Sequence, residues 1–285
     1  MIKTVGNEKG KKGEKVVTSP NTINIVVAGP RGKMGREALK MLAKTDQLQC
    51  VATIDRKNEG RLIKELEGLP DLDAPIYTDV DQCFSEQDVD VLVDFTHPEA
   101  GRYHVEKALS YGIRPVIGTS GFSEEDVQRF RIMAEDKGIG TIIAPNFSIG
   151  AVLLMKFSQM AAHHFPDVEI IELHHDQKRD APSGTAVKTG EMILQTRENK
   201  NQGHSEEKEL IKGARGAEYG GFRIHSVRLP GLIAHQEVLF GGDGELLTLR
   251  HDSMNRESFM HGVRIAVNTV MDLKTLIYGL ENILE

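Results

Sequence analysis

The residues best equipped for chemistry lie together between Glu172 and Ala186: Glu172-Leu173-His174-His175-Asp176-Gln177-Lys178-Arg179-Asp180-Ala181-Pro182-Ser183-Gly184-Thr185-Ala186. His174 and His175 are suited to proton transfer near neutral pH. Lys178 and Arg179 add local positive charge. Asp180 or Ser183 can cap a helix, and Pro182 suits its first turn. The backbone amides of Gly184 and Thr185 then point outward at the helix start, where a carboxylate is favoured. Such a segment fits an anionic substrate that takes up a proton. Two other readings stay open on residue type alone: a metal site that draws on His163 and His164, and histidines with no chemical role. Neighbouring strand residues face opposite ways, which works against His174 and His175 sharing one ion.

A second candidate site is the turn Gly29-Pro30-Arg31-Gly32-Lys33-Met34-Gly35. It follows a β-branched apolar run, Ile23 to Ala28, and precedes a stretch with helical periodicity. Glycines there let the backbone approach a pyrophosphate at the positive end of a helix. The spacing is GxxGxxG, with Arg31 where a second glycine is usual. Asp55 ends the next strand, 20 residues after Gly35, at the offset expected of an acid that binds the adenosine ribose. Arg56 and Lys57 follow it. An acid favours a 2′-hydroxyl and a base favours a 2′-phosphate, so the pair predicts tolerance of NADH and NADPH. A glycine-rich turn and a polar strand end without a ligand are the plainer alternatives. Phe95-Thr96-His97-Pro98 and Gly118-Thr119-Ser120-Gly121 follow two further strands, where open α/β sheets bind ligands. Ordinary turn chemistry also favours these residue types.

The elements that must position these groups alternate through the first half. Strands are predicted at 23–28, 50–55, 89–96, 114–120 and 141–146. Helices are predicted after Gly32 and over 99–111 and 123–137. Alternation of this kind implies βαβ units and a parallel sheet. Beyond Asn146 the pattern changes to a helix over 150–164, a strand over 167–175 and a helix over 184–197. A polar, glycine-rich loop over 198–221 follows, then two or three alternating strands that imply a mixed or antiparallel sheet with one face to cover. The last helix is expected to start near Glu257 and to carry Val263, Ala266, Val267, Val270 and Leu273. The fold class is therefore α/β: a Rossmann-like parallel-sheet cofactor domain plus an α+β substrate domain with a mixed sheet.

A length of 285 residues suits two domains. The formal charge of −7 gives no reason to expect nucleic acid or a membrane surface as partner, and no apolar run reaches transmembrane length. Cys50 and Cys83 are the only cysteines; they form no CxxC and suit a reducing cytoplasm. Residues 1–20 are polar and lysine-rich, and are expected to form a disordered tail.

The segment EL-HH-DQK-RDAPSGTA resembles the signature of the dihydrodipicolinate reductase family, whose activity is also described as 4-hydroxy-tetrahydrodipicolinate reductase. The resemblance extends through GPRGKMG (29–35), DFTHPE (94–99), GTSGF (118–122), APNFSIGA (144–151), SVRLPGLIAHQEVLFGG (226–242) and LTLRHDSMNRESFMHGV (247–263). It implies NADH- or NADPH-dependent reduction of 4-hydroxy-tetrahydrodipicolinate, a cyclic dicarboxylate, to tetrahydrodipicolinate in diaminopimelate and lysine biosynthesis. It also implies a homotetramer, with no metal. By resemblance, Gly29, Pro30, Arg31, Gly32, Lys33 and Met34 bind pyrophosphate, and Asp55 and Arg56 meet the adenosine ribose. Gly118, Thr119 and Ser120, with Ala144, Pro145, Asn146 and Phe147, line the nicotinamide. His174 is the proton donor or acceptor and Lys178 the second donor. His175, Gly184 and Thr185 hold substrate carboxylates. The implied division is 21–147 with 256–285 for the cofactor, and 148–255 for substrate and tetramer formation. The chain departs from the usual GTTGF in having Ser120, which keeps the hydroxyl.

Overall fold

A computed structural model describes residues 22–284; the expected tail over residues 1–20 lies outside the described residues. In chain order the elements are β1 (Ile23–Ala28), α1 (Lys33–Leu42), β2 (Leu48–Ile54), β3 (Ile76–Tyr77), α2 (Val80–Glu86), β4 (Val91–Asp94), α3 (Pro98–Ser110), β5 (Arg114–Ile117), α4 (Glu124–Lys137) and β6 (Thr141–Ile143). They continue with α5 (Ile149–Ala162), β7 (Asp167–His174), α6 (Gly184–Leu194), β8 (Ala217–Tyr219), β9 (Phe222–Arg228), β10 (Ala234–Gly242), β11 (Glu245–Ser253), α7 (Met260–Val270) and β12 (Leu276–Tyr278).

Seven strands form one sheet in the order β12-β6-β5-β4-β1-β2-β3, and every pairing in it is parallel. Successive residues of a strand face opposite ways, so an unbroken apolar run needs cover on both sides. On β1, Ile25 and Val27 pack with Ala38 and Leu39 of α1 and with Val263, Ala266 and Val267 of α7. Val26 and Ala28 pack on the other face with Val80 and Phe84 of α2 and Ala108 of α3. The strand order reverses between β1 and β4, where a crevice opens at the carboxyl ends of the strands.

The second sheet has the order β11-β10-β7-β9-β8. It is mixed: β7 and β9 are parallel, and the other pairs are antiparallel. Val168, Ile170, Ile224, Val238 and Phe240 face α5 and α6, meeting Leu154, Ala161, Ala186 and Ile193. The alternate residues Glu169, Ile171 and Leu173 of β7, with Glu237 and Leu239 of β10, are only half-buried.

Several expectations need correction. A short strand, β8, lies inside the segment expected to be all loop. Residues 256–259 form a 3₁₀ turn, so the last helix begins at Met260. Pro182 precedes the cap residue Ser183 and does not sit in the first turn of α6. The strands expected over 89–96, 114–120 and 141–146 stop at Asp94, Ile117 and Ile143, which leaves their last residues as loops at the crevice. The strands β3 and β12 and the helix α2 were not expected. Strands of two or three residues are too short to show a period, and tertiary pairing alone makes them strands.

Candidate active site

The first cavity sits at the reversal of strand order. Gly29, Arg31, Gly32, Asp55, Arg56, Thr96, His97 and His104 contribute to its lining. Gly29 has φ +80°, and a Cβ there would lie 3.0 Å from the Phe95 carbonyl oxygen. A Cβ on Gly35 would press into the Gly29 carbonyl. The turn therefore closes only with glycine at these two places. Gly32 donates to the Gly29 carbonyl at 3.0 Å and caps α1, which begins at Lys33. Pro30 is buried, and Met34 packs into the core below, so both offer a ligand backbone rather than side chain. Arg31 forms an ion pair with Asp55, with Nη2 donating to Oδ1 at 2.8 Å, and Arg56 is exposed beside them. The open glycine turn at a helix start, flanked by this acid and two bases, fits a dinucleotide with or without a 2′-phosphate.

Under this cavity lies Asp94, which is fully buried. Its Oδ1 accepts from the Thr96 amide (2.9 Å), the Thr96 hydroxyl (2.8 Å) and the Thr119 hydroxyl (2.7 Å). Its Oδ2 meets His104 Nδ1 at 2.5 Å. Burial pushes the Asp94 carboxyl up, but the bonds from His104, Thr96 and Thr119 outweigh it and hold the group below its usual value. The Thr119 hydroxyl is thus committed to Asp94, while Ser120 is exposed. Gly118 lies against the rings of Phe95 and Phe147, which meet edge to face at 6.1 Å. Ala144 is buried and Pro145 is exposed.

The second cavity lies where the two sheets approach each other. Pro145, Asn146, His174, Ser183, Thr185 and Gln236 are among its lining residues. Asn146 Nδ2 donates to Thr185 Oγ1 at 3.2 Å, which joins the loop after β6 to the start of α6. Ser183 caps α6, its hydroxyl accepting from the Ala186 amide at 3.2 Å. Gly184 is exposed, and nothing stands within 4 Å of where its Cβ would be, so the helix start is open to a ligand. His174 ends β7, and its Nδ1 lies 2.6 Å from Glu172 Oε2. Glu172 is fully buried and also takes Arg228 (2.8 and 2.6 Å) and the Ser183 amide (3.1 Å). Burial raises its carboxyl, but His174 and Arg228 more than offset this and bring it down to about 2. Burial also lowers His251, which lies 3.3 Å from the Ser148 hydroxyl.

His174 and Thr185 therefore share one cavity with Asn146, whereas His175 and Lys178 do not line it. The ammonium of Lys178 is held by both oxygens of Asp180 at 2.8 Å. Sequence reasoning passed over Asp94, His104, Glu172 and Arg228 as site residues. Glu172 had a signal, since it lies two residues before His174 on a strand and so faces the same side. Arg228 had none. Among the described residues, no group of three or more His, Cys, Asp or Glu could hold a metal ion, and no helix is long and apolar enough to cross a membrane.

A doubly covered parallel sheet with a glycine turn at its strand reversal, beside a histidine-bearing cavity, defines a nicotinamide-dinucleotide-dependent oxidoreductase. Profiles described as the N-terminus and the C-terminus of dihydrodipicolinate reductase match residues 23–147 and 150–284. The chain belongs to the dihydrodipicolinate reductase family. It is 60% identical over 263 residues to the 4-hydroxy-tetrahydrodipicolinate reductase of Halalkalibacterium halodurans, covering 92% of this chain and all of that protein. The enzyme of the same name from Geobacillus kaustophilus is 61% identical over 264 residues, covering 93% of this chain and all of its own length. A dipicolinate-bound dihydrodipicolinate reductase from Paenisporosarcina sp. TG-14 superimposes with a TM-score of 0.85 at 52% identity, over 92% of this chain and all of that one. An amine dehydrogenase from Mycobacterium smegmatis shares the fold at 15% identity and a TM-score of 0.64, over 91% of this chain and 95% of its own.

Proposed function

We propose that the cavity at Asn146, His174 and Thr185 binds a cyclic dicarboxylate, and that its residues divide the work of one reduction. The enzyme is an NAD(P)H-dependent reductase that converts 4-hydroxy-tetrahydrodipicolinate to tetrahydrodipicolinate in diaminopimelate and lysine biosynthesis. When bound, the reduced nicotinamide would supply the hydride, and one proton taken up in the same turnover lets the substrate hydroxyl leave as water. Gly29 to Met34 form the turn around the pyrophosphate; Arg31, Lys33 and Met34 offer their amides, while Gly29 and Gly32, whose own amides bind Ile54 and Gly29, and Pro30, which has none, shape the turn. Asp55 and Arg56 hold the adenosine ribose, while Gly118 to Ser120 and Ala144 to Phe147 line the nicotinamide. Gly184 and Thr185 offer their amides to one substrate carboxylate, as aligned peptide dipoles at a helix start favour an anion. His175 meets the other. His174 gives or takes the ring proton from Nε2. Lys178 leaves Asp180 as the domains close, and it steadies negative charge as it develops.

In this reading residues 21–147 and 256–285 serve the cofactor, and 148–255 serve the substrate and a homotetramer. The half-buried outer face of the five-stranded sheet, with Ile171, Leu173 and Leu239, is the surface the tetramer would cover. The buried free thiols of Cys50 and Cys83 are consistent with the cytoplasm.

The observation that carries the assignment is the direct contact between Asn146, on the loop after β6 of the parallel sheet, and Thr185, at the open start of α6. The test is the loss of NADH absorbance with freshly made 4-hydroxy-tetrahydrodipicolinate, alongside competition by pyridine-2,6-dicarboxylate. Turnover is expected in the unaltered chain and a severe loss of kcat in Lys178→Ala, with NADH affinity unchanged. Thr185→Glu should weaken the competitor by setting like charge against it. Equal competition in both proteins would move the carboxylate away from α6.

A further inference from the structure

We infer that Glu172 is a positioning residue for this reaction: a single buried carboxylate sets the tautomer of His174 and ties the proton donor to the helix start that holds the substrate. The inference rests on the reading above and adds to it a residue that touches neither substrate nor cofactor.

Four N–H groups converge on Glu172: the Ser183 amide, Nη1 and Nη2 of Arg228, and Nδ1 of His174, at 3.1, 2.8, 2.6 and 2.6 Å. Three of the four can only donate. An ionised carboxylate accepts at about four lone-pair sites and cannot donate, so the fourth group must donate as well. His174 therefore carries its hydrogen on Nδ1. Its Nε2 is then the only ring nitrogen that can exchange a proton, and His174 lines the substrate cavity. Without that hydrogen bond a neutral imidazole would divide between two tautomers, one of which presents an N–H that cannot take up a proton.

The same carboxylate fixes distance as well as tautomer. Oε2 faces His174, and Oε1 accepts from the backbone of Ser183, the residue that caps α6. The proton donor and the amides of Gly184 and Thr185 are thus referenced to one side chain that has no exposed surface. Arg228, from β9, also donates to the Asp180 carbonyl at 2.8 Å, which pins the loop that carries Lys178. The other titratable groups around His174 are engaged elsewhere. On β10, His235 faces Asp252 at 2.7 Å, and on β11 His251 faces Ser148. Lys178 and Asp180 pair with each other.

The test is Glu172→Gln, made in the unaltered enzyme and in His174→Gln. One amide oxygen cannot serve four donors, so the tautomer lock is lost. In the unaltered background we expect kcat to fall about 100-fold, the low end of what a positioned acid contributes. NADH affinity should change less than about twofold. In His174→Gln the same change should cost less than about twofold. Equal losses in both backgrounds, or near-normal kcat, would overturn the inference. If Glu172→Gln does not fold, Glu172→Gln with Arg228→Met removes the stranded cation too; recovery of normal kcat would then show that Glu172 serves only to neutralise Arg228. A readout independent of turnover is the imidazole ¹⁵N spectrum of His174. We expect a protonated Nδ1 in the neutral ring, lost in Glu172→Gln. A neutral ring protonated at Nε2 in the unaltered enzyme would refute the inference even if the reaction is as assigned.

Discussion

The two cavities stand on the same device built with different charges. Asp94 under the first cavity and Glu172 under the second are both fully buried, and both receive a histidine Nδ1. The other donors to Asp94 are neutral: two threonine hydroxyls and an amide. Glu172 has an arginine on both oxygens. Buried charge must be paired or it becomes costly. Asp94 has only His104 to supply a cation, so that histidine is best used as a fixed strut between loops. At Glu172 the permanent charge of Arg228 does the pairing, so the carboxylate does not depend on His174 for a cation. The first node ties loops together through neutral donors, and the second pairs its charge with an arginine and leaves the histidine a separate contact.

The largest expected effect tests that difference directly. Glu172→Ala should destabilise the protein by about 3 kcal/mol, the low end for breaking a buried pair, because it removes a fully buried carboxylate and leaves the half-buried Arg228 cation without it. Asp94→Ala should cost less, about 1–3 kcal/mol, since it strands neutral donors and a histidine that can lose its charge. Urea unfolding followed by far-ultraviolet circular dichroism gives both numbers. Equal losses would mean that the arginine does not distinguish the two nodes.

Acid pH probes the same carboxylate without mutation. The Glu172 carboxyl is held at about 2, against 4.5 for an ordinary glutamate. The unfolded chain takes up this proton as pH falls through its ordinary value, and the folded chain resists until the lower one. Stability from this group is therefore complete above about 4.5 and is lost as pH falls toward about 2. The shift corresponds to about 3 kcal/mol. Arg228→Met should raise the carboxyl and move its loss to higher pH; urea midpoints measured across this range that fall identically in both proteins would contradict the pairing.

The smallest effect concerns the first cavity. Because Arg31 occupies the Asp55 carboxylate, the acid repels a 2′-phosphate only weakly, and Arg56 attracts one. NADH and NADPH should serve within about tenfold in kcat/KM, or roughly 1.4 kcal/mol. Arg31→Ala should free Asp55 and turn preference toward NADH. A ratio unchanged by this substitution would mean that the Arg31–Asp55 pair does not set it.

Much of this protein was legible from residue types at short separation. The β1 run, the glycine turn and Asp55 announced a dinucleotide crevice, because a parallel strand, a Cβ-free turn and a helix start are consecutive in the chain. The segment from Glu172 to Ala186 announced proton transfer beside an anion-binding helix start, because the alternating strand and the Ser183 cap are local features as well. The resemblance of the same segments to one family then named the reaction. Other features had no local signal. Strands as short as β3, β8 and β12 exist only because a neighbour pairs with them, and the last helix returns to cover the first sheet from more than 200 residues away.

The sequence by itself determined the reaction class and the two-sheet architecture, and it singled out His174 as a candidate, since these depend on periodicity and on motifs read within a few residues. Only the tertiary structure decided which groups surround His174. Arg228 is 56 residues from Glu172, and what joins them is the parallel pairing of β7 with β9, which sets Glu172 opposite Ser226 and His174 opposite Arg228. Hydrogen-bond partners, burial and charge pairing are set by register between distant strands, and residue types alone do not specify that register.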